Sequence, residues 1–206
     1  RLGDARGAFE RSLALAKATD NAWGCMAALD KIGDTDYAEG QLTNAIQNYC
    51  VALTVAEKLA AQHPTTLQLQ RDLLVCHSKI GDILITQGGA PEALAAYRKG
   101  LAIADSLTAR NPDNTQWQRD LSVCHGKIGD VLVTQGDGLG ALTAYRRSLA
   151  IRESLTLHDP ANTQWQRDKS VSYNEIGTVL VTLGDGPGAL AAFRNGLCTA
   201  EALADL

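Results

Sequence analysis

Apolar residues fall at helical spacing along almost the whole chain. From Trp117 onward, Leu121, Ile128, Leu132 and Val133 share one stripe, with His125 filling the gap on it. The pattern predicts a helix that starts at a capping box, Thr115 with Gln118 three residues on, and ends at a left-handed turn supplied by Gly136. A second stripe runs from about Leu139 through Ala141, Leu142, Tyr145, Leu149 and Leu155, until Asp159-Pro160 stops it. No two-residue alternation competes with these stripes, so the predicted fold class is all-α.

The same two stripes return with a fixed period. Lys31-Ile32-Gly33-Asp34 recurs 48 residues later as Lys79-Ile80-Gly81-Asp82, again as Lys127-Ile128-Gly129-Asp130, and in weakened form as Glu175-Ile176-Gly177-Thr178. In step with it come Gly40, Gly88, Gly136 and Gly184, then Ala45, Ala93, Ala141 and Ala189, then Tyr49, Tyr97, Tyr145 and Phe193. Repetition at this scale predicts stacked supersecondary units rather than one irregular core. The expected organisation is a single array over 1–206: a leading second-type helix in 1–18, then helix pairs in 19–62, 63–110, 111–158 and 159–206. Pro91 and Pro187 sit where second helices begin, a position that tolerates proline because its missing N–H would have no partner. Phe9 to Gly33 spans eight residues fewer than Tyr49 to Gly81, so the helices flanking the first connection should each be about a turn shorter.

Composition narrows the function. With 45% hydrophobic and 20% charged residues the chain can bury a core, and a net charge of -4 offers no general attraction to nucleic acid or anionic lipid. No run reaches the ~18 apolar residues a membrane helix needs, no signal peptide opens the chain, and the absence of an initial Met suggests a fragment. Five thinly spread cysteines, an odd number in a chain that needs no staples, read as reduced thiols and point to the cytoplasm. No Gly-rich phosphate loop, nucleophile elbow or His-Glu-x-x-His occurs, so no enzyme, catalytic residue or cofactor is expected.

An Ile-Gly pair in the first helix, a glycine turn, then Ala and an aromatic four residues apart resembles the tetratricopeptide repeat. The longer 48-residue unit is more similar to extended variants such as those of kinesin light chain and large bacterial proteins. The resemblance implies a right-handed superhelical solenoid of antiparallel helix pairs, part of a longer bacterial protein. It makes Gly129 and Ala141 the small residues where the helices cross, their backbones too close for a larger side chain, and Tyr145 the packing aromatic. It also implies a scaffold that binds a peptide or partner domain on its concave face. The inner wall then carries Asp30, Ser78, Gly126 and Asn174, with Asp34, Asp82, Asp130 and Thr178 one turn on, and Ile85, Val133 and Val181 beyond them, where the first copy has Tyr37.

Aligned acids at Asp34, Asp82 and Asp130 favour a basic or polar, extended partner segment. The alternative is that Lys31, Lys79 and Lys127 neutralise the Asp three residues on and make a solvated face. Arg71-Asp72, Arg119-Asp120 and Arg167-Asp168 form a second row, either a ligand-facing ladder or a set of pairs between successive repeats. Cys76-His77 and Cys124-His125 have metal-ligand chemistry, but neighbours on a helix point about 100° apart and cannot clasp one ion. No metal is expected, and the pairs read as core Cys beside a partly buried His. Homotypic assembly through Leu203, Leu206 or the exposed first helix is the second function reading, and a metal- or redox-responsive sensor the third.

Overall fold

The computed structural model describes residues 2–204, and every regular element among them is helical: α1 (Leu2–Ala18), α2 (Ala22–Ala38), α3 (Leu42–Gln62), α4 (Leu67–Thr86), α5 (Ala90–Arg110), α6 (Thr115–Thr134), α7 (Gly138–His158), α8 (Thr163–Thr182) and α9 (Gly186–Ala204). The all-α class and the pairing of helices follow the apolar stripes. Within each pair the turn glycine has φ of +75°, +83°, +78° or +80° at Gly40, Gly88, Gly136 and Gly184. There a left-handed residue lets the following N–H close back on the helix, as Gln41 does onto Asp36 and Asp137 onto Leu132. The shortened first repeat is also present, with 17 residues in α2 against 20 in α4, α6 and α8.

The helix starts differ from the capping-box expectation. α6 is capped by Asn114, whose side chain accepts the Trp117 N–H at 3.0 Å, while Gln118 turns outward and donates to the Pro112 carbonyl at 3.1 Å. Asn162 repeats the arrangement with Trp165 and Gln166 with Pro160. The short amide of asparagine reaches the third helical N–H directly, so the cap sits one residue before Thr115. Asn162→Ala should cost about 1 kcal/mol, seen as a fall of roughly 2–4 °C in melting temperature. Thr163→Ala at the next position should have little effect, and the reverse ranking would restore the capping box.

The chain forms two compact units, Arg1–Ile103 and Ala104–Leu206, divided within α5. In the first, one apolar cluster joins Ala45, Tyr49, Ile80 and Ile83, and another joins Met26, Ala56, Leu59 and Leu69. In the second, Ala141, Leu142 and Tyr145 pack with Ile176, Val179, Leu180 and Ala189. The crossing glycines have a different reason from the one expected. A Cβ on Gly129 would lie 2.5 Å from Cε1 of Tyr145, and Gly33, Gly81 and Gly177 face Tyr49, Tyr97 and Phe193 in the same way. An aromatic ring from the partner helix, rather than its backbone, occupies the missing side chain's space. Between successive repeats of the second unit, Arg119 Nε donates to Asp168 at 2.8 Å, so this Arg-Asp row contains an inter-repeat pair.

Candidate functional site

The candidate wall residues lie on the first helices of the pairs, and their carboxylates are engaged by the fold itself. Tyr49 OH donates to Asp34 at 2.8 Å, Tyr97 OH to Asp82 at 2.6 Å and Tyr145 OH to Asp130 at 2.6 Å. The same ring that fills the glycine gap thus carries its hydroxyl to the acid one residue after that glycine. The constant spacing of 15 residues between acid and tyrosine was the available signal for this link. Burial, together with the adjacent carboxylate, pushes the Tyr49 and Tyr145 phenols well above their usual range, keeping both as neutral donors.

In the first unit the lysine row departs from the expected pattern. Lys31 meets Asp34 three residues on at 3.1 Å, but Lys79 Nζ reaches back to Asp30 and Asp34 of the preceding repeat at 2.5 and 2.6 Å. The long lysine stem crosses to the neighbouring helix because two carboxylates converge there, a stronger attraction than a single one on its own helix. Burial pushes the Asp34 carboxyl up, but the bonds from Lys79, Tyr49 and Lys31 outweigh it and hold the group below the usual range. A pocket of about 190 Å3 between α2 and α4 is lined by Asp34, Tyr37, Tyr49, Lys79 and Asp82. A neighbouring pocket of about 270 Å3 includes Asp30, Asp72, Met26 and Val75. Ser78 and Ile85 are half-buried on α4.

In the second unit Asn174 and Thr178 are exposed on α8, and Thr178 Oγ1 donates to the Asn174 carbonyl at 2.9 Å. Gly126 is buried beside Arg152. Apart from the half-buried Ile85, the apolar wall positions face solvent: Val133 is 45% and Val181 58% exposed, and Tyr37 in the first unit is 43% exposed. Two charged groups that the sequence reading passed over lie behind this face. Arg152 is buried, and its Nη1 donates to the Asp168 carbonyl at 2.8 Å and to Ser172 Oγ at 2.7 Å. Glu175 Oε2 lies 4.0 Å from Arg152 Nη1, is itself buried and accepts no hydrogen bond. The signal was visible in the repeat, because Arg152 replaces the alanine of Ala104 and Glu175 the lysine of Lys127.

Cys76 and Cys124 are core residues, and burial pushes the Cys76 thiol up to about 12. His77 and His125 are pushed down, mainly by burial, which favours neutral rings. No three His, Cys, Asp or Glu side chains gather as a metal-binding group among the described residues. Leu190 and Leu197 are exposed on α9, Leu203 is half-buried, and Leu206 lies outside the described residues.

No protein-family model matches the sequence, and no curated protein matches it either. Solved structures do. MamA is similar with a TM-score of 0.61 at 19% identity, over 99% of this chain and 93% of that one. The kinesin light chain TPR-like repeats of Podospora anserina align with a TM-score of 0.64 at 16% identity, over 96% of this chain and 86% of that one. Apo RapI aligns with a TM-score of 0.76 at 14% identity, over 97% of this chain, which spans about half (49%) of RapI. These likenesses show that the fold is tetratricopeptide-like. No described helix is long and apolar enough to cross a membrane.

Proposed function

We propose that this chain, whose fold is of the tetratricopeptide type, is a scaffold that binds extended, basic segments of a partner protein on the first-helix faces of its units. The observation that carries this reading is the solvent exposure of Tyr37, Val133 and Val181 beside a row of acids. Each such residue is an ordinary surface feature alone, but repeated at one register they offer apolar contact between charges. Exposed ion pairs contribute little each, so affinity comes from several contacts together and weakens as salt screens them. A related fold offers a precedent for a bound partner: a Rap protein, similar with a TM-score of 0.66, is solved in complex with competence and sporulation factor.

Changing Asp82 or Asp130 would confound binding with folding, since both accept tyrosine hydroxyls. The cleaner test replaces Tyr37, Val133 and Val181 by serine and measures binding to an immobilised library of extended peptides with alternating Lys and apolar residues. The native chain is expected to bind a subset, more weakly at high salt, and the triple variant to lose that subset while keeping its melting temperature. Unchanged binding by the folded variant would refute the proposed face.

A further inference from the structure

The pocket of the first unit between α2 and α4 is lined by a cation, Lys79, whereas among the described residues no Lys or Arg lines its counterpart in the second unit. In the first, Lys79 Nζ crosses the space to Asp30 and Asp34 and lies 5.2 Å over the Tyr49 ring, leaving about 190 Å3. Two repeats on, the space between α6 and α8 is lined by Val133, Tyr145, Val171, Asn174, Glu175 and Thr178 and measures about 320 Å3. Position by position, Tyr145 stands for Tyr49, Asp130 for Asp34, Val133 for Tyr37, Thr178 for Asp82 and Glu175 for Lys79. A glutamate therefore stands where the lysine stood, so that a second carboxyl group lies within electrostatic reach of Asp130.

The buried cation behind this carboxyl group does not complete the site. Arg152 Nη1 is 4.0 Å from Glu175 Oε2 and already donates to Asp168 and Ser172, leaving that oxygen buried without a hydrogen bond. Glu175 lines this space with a side chain that is 22% exposed. An ammonium entering it meets a carboxylate whose charge Arg152 leaves poorly satisfied, a costly arrangement that a bound cation would relieve. We propose that this pocket takes the stem and ammonium group of a lysine from the partner segment, filling in the second unit the place that Lys79 fills in the first. The inference rests on the scaffold reading and names one side chain of its ligand. Val133 and Val171 offer contact to the stem, and the Tyr145 ring offers the cation the face that Tyr49 gives Lys79.

Protonation adds a signature. Burial holds the Glu175 carboxyl at about 7, with Arg152 from α7 lowering it and Asp130 from α6 raising it. An arriving ammonium favours the charged form, so binding releases a proton to solvent and strengthens as pH rises through neutrality.

The probe is Nα-acetyl-lysine methylamide, with its Nε-acetylated form as the uncharged control, titrated into the intact chain and followed by NMR at fixed ionic strength. The charged probe should shift the amides of Val133, Asn174 and Thr178 saturably and lower the Glu175 titration midpoint by roughly one pH unit. The acetylated control should do neither. Glu175→Gln, which removes the charge without setting a second cation beside Arg152, should abolish the saturable shifts while the fold is retained. Absence of saturable shifts, or equal shifts from both probes, would overturn the proposal. If Glu175→Gln still binds library peptides that the Tyr37, Val133 and Val181 variant loses, the pocket assignment falls and the scaffold reading stands.

Discussion

Replacing Gly129 with leucine should destabilise the protein by about 3 kcal/mol or more, lowering its melting temperature by roughly 6–12 °C. Even the first added carbon would lie 2.5 Å from the Tyr145 ring, far inside contact distance. The ring cannot retreat freely, because it is buried and its hydroxyl is bonded to Asp130. Relief therefore breaks that bond or separates α6 from α7. A double-mutant cycle isolates the cause: Gly129→Ala should cost less in a Tyr145→Leu background than in the native chain, with a coupling of roughly 1 kcal/mol or more. Equal costs in the two backgrounds would mean that the ring is not what Gly129 accommodates.

The second large effect should depend on pH. The Glu175 carboxyl lies at about 7 in the folded chain against an ordinary value of 4.5. The folded state consequently binds more protons than the unfolded state in between. The stabilising contribution of this raised group is fully present below 4.5 and lost as pH rises through about 7. Glu175→Gln, which removes the charge, should raise stability relative to the native chain by roughly 2 kcal/mol at pH 8, with the advantage fading at low pH. Arg152→Ala should act in the opposite direction, costing about 3 kcal/mol at pH 8 because a buried charge loses its partner. That cost should shrink at low pH, where the carboxyl takes up a proton. Urea unfolding of all three proteins across this range provides the measurement, and differences that do not change with pH would remove Glu175 as their source.

Thr115 and Gln118 have the residue types and spacing of a capping box, yet Asn114 performs the cap because it stands one residue before the first helical position, where its side-chain oxygen reaches the Trp117 N–H. Lys79 and Asp82 are correctly spaced for a pair on one helix, yet two carboxylates of the preceding repeat draw the ammonium away. The Asp34, Asp82 and Asp130 row was legible as a row, but the constant 15-residue spacing to its tyrosine donors does not by itself show a bond that crosses from one helix to another. Glu175 was visible only as a weakened copy of the repeat, and its meaning depends on Arg152 and Asp130 meeting it in space.

The sequence by itself determined the all-helical class, the 48-residue unit and the glycine turns. These features follow from burial periodicity and backbone conformation, which act between residues near in the chain and are written into spacing. The tertiary structure decided the polar contacts: which carboxylate a flexible lysine selects, which phenol donates to an acid, and which pocket is lined by a glutamate in place of a lysine. Such contacts depend on distances of about 3 Å between groups brought together from different helices, a scale at which a single substitution redirects the partner without disturbing the repeat.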